Sequence, residues 1–78
     1  MEKSDKRQRF EKVAGHRVQK ILDTLTLLQN CSNRNNYEYS ETDVEQMFSE
    51  ISKAVRDARY AYLGELNKVN KKGFTFQV

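Results

Sequence analysis

The chain has 78 residues, of which 37% are hydrophobic and 32% charged, and its 14 Lys and Arg outnumber its 11 Asp and Glu for a net charge of +3. A chain this short buries only about 60% of the surface its unfolded form exposes, so a single marginal domain helped by a metal, disulfides or self-association is expected. One Cys, no Pro, no Trp and three Gly exclude an internal disulfide, leave little from which to build an enzyme pocket, and suit helical hairpins and bundles.

The first eight residues carry mixed charge with no apolar anchor, so a frayed end is expected, with the helix taking hold near Arg9. Ala14, Val18, Ile21, Leu25 and Leu28 then recur at spacings of four and three, with Phe10 one turn upstream and Val13, Leu22 and Leu27 beside them. That period predicts one amphipathic helix over about 6–29. Gly15 costs roughly 1 kcal/mol against Ala within a helix, so a close backbone approach or a bend is expected there.

The stretch NCSNRNNYEYSET, Asn30 to Thr42, carries no apolar run and four Asn, whose side chains compete with helix by bonding nearby backbone. A turn over 30–41 follows, closed by Asn in the left-handed conformation. Tyr37 and Tyr39 alternate with Glu38 in an extended segment that sets both rings on one side, where they would cap the closed end of a core. Two N-cap patterns overlap downstream: Asp43 lies three residues after Ser40, and Glu45 lies three after Thr42. The second, T-D-V-E, is the capping box expected to open a helix over about 42–71.

Val44, Phe48, Ile51, Val55, Ala58, Tyr62, Leu66 and Val69 form a heptad-like seam, and Met47, Ala54 and Ala61 form a second edge spaced by seven. Two apolar edges exceed what one hairpin partner covers. The expected fold is therefore all-α, an antiparallel two-helix hairpin dimerising into a four-helix bundle through Met47, Ile51, Ala54, Val55, Ala58 and Ala61, with Ala54, Ala58, Ala61 and Gly64 admitting close approach. Gly73 is the expected left-handed cap. The tail 72–78, ending in FTFQV, reads either as a strap on the open end or as a peptide that docks to a partner.

Charge is segregated: residues 1–22, 23–50 and 51–78 carry +4, −5 and +4. A hairpin would gather the two basic segments at its open end. Arg7, Arg9, Lys12, Arg17, Lys20, Arg56 and Arg59, with His16 and Tyr60 available to stack, suit phosphate contacts of a DNA or RNA partner. The plainer alternative is a solvated face laced by i,i+4 pairs. For a protein partner, the expected surface is the turn, where Arg34, Asn35, Asn36, Tyr37 and Tyr39 mix polar donors with aromatic area.

No catalytic constellation is evident and no cofactor or metal is expected. His16, the only His, has no carboxylate or Cys nearby in sequence, and Cys31 at a helix C-terminus gains no support for a thiolate. The acids between Asn35 and Glu45 do not fall at EF-hand positions. The N-terminal MEKSDKRQRFEK is charged where a signal peptide needs an apolar run, and no segment suits a membrane span, so a cytoplasmic setting is expected.

The run NCSNRNNYEYSETDVEQMF, between two amphipathic helices, resembles short helical proteins of unassigned function from Gram-positive bacteria and their mobile elements. Its most specific part is S-N-R-N-N-Y-E-Y, Ser32 to Tyr39. The resemblance implies a bacterial or phage-related setting without giving an activity, and carries no functional residue over; a small non-catalytic binding module, a protein-interaction or regulatory accessory protein, is the expected function. In architecture alone the expected hairpin is similar to the dimeric, RNA-binding Rop hairpins, a likeness of fold that does not assign function.

Overall fold

A computed structural model describes the backbone of residues 4–71 and the side chains of residues 4–68. Among the described residues the chain is all-α, with two helices and no strand: α1, Asp5–Asn30, and α2, Glu41–Lys71. It divides into two units, Met1–Glu38 and Tyr39–Val78, each holding one helix. The expected tail, with Gly73 and FTFQV, lies outside the described residues.

In the first unit, α1 starts earlier than the charge pattern of its first residues led us to expect. Ser4 is its N-cap, with extended backbone (φ −66°, ψ 162°), and its hydroxyl oxygen accepts the Arg7 N–H at 3.0 Å. The Gln8 N–H donates to the Ser4 carbonyl at 3.0 Å, and acidic Asp5 sits in the first turn. Instead of fraying to Arg9, residues 5–8 are helical because a hydroxyl satisfies an otherwise orphaned N–H and a carboxylate faces the positive pole of the dipole. Arg7 is held further by Glu11, 3.0 Å from its Nε, and by its position 5.5 Å from the Phe10 ring centroid.

The β-branched residues inside α1 are accommodated by back-bonding. Thr24 Oγ1 donates to the Lys20 carbonyl at 2.8 Å and Thr26 Oγ1 to the Leu22 carbonyl at 3.2 Å, so neither hydroxyl competes with the helical ladder. Gly15 is neither a packing device nor a left-handed residue, since a Cβ there would meet nothing within 4 Å.

The helix closes without the left-handed Asn expected of it. No non-Gly residue among those described has positive φ, and the C-cap, Cys31, is right-handed at φ −75°, ψ −4°. The last carbonyls are used by tighter three-residue bonds, Cys31 N–H to Leu28 and Ser32 N–H to Gln29, both 3.0 Å. This is the 3₁₀-type closure open to helices that lack a Gly cap.

In the second unit, α2 begins on the Ser40 pattern and not on Thr42. The Ser40 hydroxyl accepts the Asp43 N–H at 3.2 Å, the Asp43 carboxylate accepts the Ser40 N–H at 2.8 Å, and the Val44 N–H donates to the Ser40 carbonyl at 3.1 Å. This is a reciprocal capping box with Asp in the usual Glu position. Glu41 and Asp43 also lie in the first turn, where the dipole favours them. Gly64, like Gly15, faces open space, so it provides no close approach among the described residues.

Two outcomes follow. Ser40→Ala should cost about 1 kcal/mol, the usual price of a lost N-cap, whereas Thr42→Ala should change stability by only a few tenths; thermal melts followed by circular dichroism compare them. Gly15→Ala and Gly64→Ala should each raise stability, by up to about 1 kcal/mol, because each removes a flexible residue from a helix interior without a clash.

Candidate interaction surfaces

Three surfaces carry the chemistry that the sequence singles out, each lying on known local structure. The first is the turn after α1. Asn33 organises it: its carbonyl accepts the Asn36 and Tyr37 N–H groups at 3.1 and 3.0 Å, and its Oδ1 accepts the Asn35 N–H at 2.9 Å. An Asx-turn of this kind replaces the missing helical bonds with one side chain. It brings Arg34, Asn35, Asn36 and Tyr37 into a single compact bend, all exposed, with Tyr37 at 52%. Tyr39 belongs to the second unit and is half-buried. Asn33 was not among the residues expected at this surface; its position two residues before Asn35, the spacing an Asx-turn needs, is the signal that marks it.

The second surface is the basic side of α1. Arg9, Lys12, His16 and Lys20 follow one another at spacings of three, four and four, which lines them along one side of the helix, nearly opposite the apolar stripe of Ala14, Val18, Ile21, Leu25 and Leu28. All four are exposed, and among the described residues none of Arg9, Lys12, Arg17 and Lys20 forms an ion pair. Arg7 is the exception, being paired with Glu11. The i,i+4 lacing that would absorb such a face into helix stabilisation is therefore confined to its first turn. On α2 the basic residues are more engaged. Lys53 pairs with Glu50 at 3.8 Å, Arg56 with Asp57 at 3.5 Å and Lys68 with Glu65 at 3.4 Å. Exposed pairs of this kind contribute only about 0.2–0.5 kcal/mol and yield readily to a stronger anion. Arg59 stands outside these pairs.

The third is the apolar seam of α2. Phe48, Val55 and Leu66 are 46%, 53% and 60% exposed, Met47, Ala54, Ala58 and Ala61 are exposed, and Val44 and Ile51 are half-buried. The apolar face of α1 is similarly open, with Val18, Ile21 and Leu22 all exposed and Ala14, Leu25 and Leu28 half-buried. No described residue is buried. Covering one such large side chain fully contributes about 1.5–3 kcal/mol, so these stripes hold most of the free energy available to the chain for association.

Cys31 is free and exposed at the end of α1. Among the described residues no group of three or more His, Cys, Asp or Glu lies close enough together to hold a metal ion, and no helix is long and apolar enough to cross a membrane.

The α1 flank makes a prediction that salt can test. If it contacts phosphates, log affinity for a short DNA or RNA duplex falls linearly with log salt concentration, and Lys12→Ala or Lys20→Ala each flatten that slope by about one unit. Fluorescence anisotropy across a salt series measures it. An absence of binding at low salt removes nucleic acid from consideration.

Comparison of the chain with protein-family models, with curated proteins and with solved structures finds no match.

Proposed function

We propose that the chain is a small non-catalytic binding module, a protein–protein interaction or regulatory accessory protein of a bacterial or mobile-element system, working in the cytoplasm without a cofactor. The observation that carries this reading is the pair of long apolar stripes on α1 and α2, whose large side chains remain about half exposed. Apolar stripes of this length on otherwise charged helices are built to be covered by protein. The seam through Met47, Ile51, Ala54, Val55, Ala58 and Ala61 serves self-association, and the Arg34 to Tyr37 bend meets the heterologous partner. The bend offers what such contacts use, an arginine, two amides and an aromatic ring on a backbone already held by Asn33. The bacterial setting rests on the resemblance carried by Ser32 to Tyr39.

A second reading, a nucleic-acid-binding regulator, is favoured by one specific observation: the row of Arg9, Lys12 and Lys20 on the side of α1 opposite the stripe, without ion pairs. Affinity purification of the full chain from its host, with and without nuclease, separates the two. Under the first reading, captured proteins persist after nuclease, and Arg34→Ala with Asn36→Ala abolishes capture while leaving the melting temperature within about 2 °C, because neither side chain is in a buried position. Capture that disappears with nuclease favours the second reading. Unchanged capture by the double variant excludes the bend as the interface.

A further inference from the structure

The first ten residues of α2, Glu41 to Glu50, hold four acids and no base, whereas the remaining 21 residues, Ile51 to Lys71, hold five bases and two acids. The helix is therefore divided into a −4 end and a +3 end. Its apolar seam runs through both halves, and Phe48, Val55 and Leu66 along it are open. These two facts together restrict what can lie on it.

We infer that the seam of α2 takes the α2 of a second copy of this chain, and that the two helices run in opposite directions about a two-fold axis near Arg56 and Asp57. The inference rests on the self-association proposed above and adds its direction. Aligned in the same direction, two such helices would set −4 against −4 and +3 against +3 along their whole length. Reversed, each acidic end lies beside the partner's basic end. Packed helices are about 8–10 Å apart, close to the screening length of about 10 Å at 0.1 M salt, so the segment charges act across the interface at ordinary ionic strength.

The seam itself accommodates the reversed register. A two-fold axis between positions 56 and 57 sets Val55 opposite Ala58 and Ile51 opposite Tyr62 of the other copy, pairing larger with smaller side chains at the centre as interdigitating seams require. Ala54 and Ala61 then face each other's counterparts on one flank, where short side chains let the backbones approach. Met47 comes opposite Lys68, whose aliphatic stem can cover it while the ammonium stays in water. A closed two-fold pair of this kind buries the same patch on both copies.

The test uses the full chain carrying Cys31→Ser and Gln46→Cys, with a spin label at position 46, which lies on the charged side of α2 away from the seam. Position 46 is 10.5 residues from the axis, so the 1.5 Å rise offsets the two labels by about 32 Å along the reversed pair and not at all along a same-direction pair; with about 20–30 Å between the outward faces, the labels lie about 40 Å apart in the first and about 20–30 Å apart in the second. Dipolar spectroscopy distinguishes these. Sedimentation of the unlabelled native chain over a salt series supplies the second measurement, since the reversed pair weakens as salt rises and a same-direction pair strengthens. A dimer with the short distance, or one strengthened by salt, overturns the orientation and leaves self-association standing. A chain that remains monomeric at high micromolar concentration overturns both.

Discussion

The constraint on which the rest of the molecule depends is the need to cover two long apolar stripes with very little chain. Helices of 26 and 31 residues extend about 39 and 46 Å at 1.5 Å per residue, yet helix propensity alone is a weak source of stability in water, and most helical stability in proteins comes from packing an amphipathic face. In α2 the strong formers Glu, Lys, Arg, Leu and Ala alternate with Ser, Tyr, Val and Phe, so propensity is mixed and the seam decides. The side chains that must supply the packing, Phe48, Val55 and Leu66 among them, are about half exposed. The fold and its associations are thus one problem. Whatever covers the stripes also supplies most of the free energy that keeps the helices formed.

Charge places a second condition on any solution. Acids gather around the connection and the start of α2, bases at the start of α1 and the later part of α2. At the helix ends this arrangement is locally favourable, since Asp5, Glu41 and Asp43 each sit in a first turn. Over longer distances, apolar seams in general supply affinity with little directional preference, and segregated charges supply orientation.

The helices themselves were legible in the sequence because the apolar spacing of three and four persists for about five turns in α1 and about seven in α2. The ends were less legible for identifiable reasons. At α2, S-E-T-D and T-D-V-E overlap by two residues, and pattern alone does not choose between them. The hydrogen bonds choose Ser40, with Asp43 reaching back to its N–H. At the start of α1, the density of charge masked a good cap, Ser4, because charge runs read as frayed ends unless the hydroxyl ahead of them is considered. At the end of α1, counting Asn residues suggested a left-handed closure, whereas Asn33 is used for its side-chain acceptor and not for its tolerance of positive φ. Of the candidate surfaces, the basic residues were legible as a set but not as a row. Which of them are tied up, Arg7 with Glu11 and Arg56 with Asp57, depends on rotamers that spacing does not reveal.

The connection between the helices has a further consequence. It contains no Gly and no Pro, and every described residue in it has negative φ. A bend built this way imposes almost no steric selection on its residues, since any L-amino acid can occupy these backbone conformations. Asn33 shapes its first part, and Ser40 with Asp43 its last, by side-chain bonds to nearby backbone N–H groups. A substitution at Asn35 or Asn36 therefore meets no backbone penalty of its own, and what it changes is the chemistry the segment presents and not the local chain path.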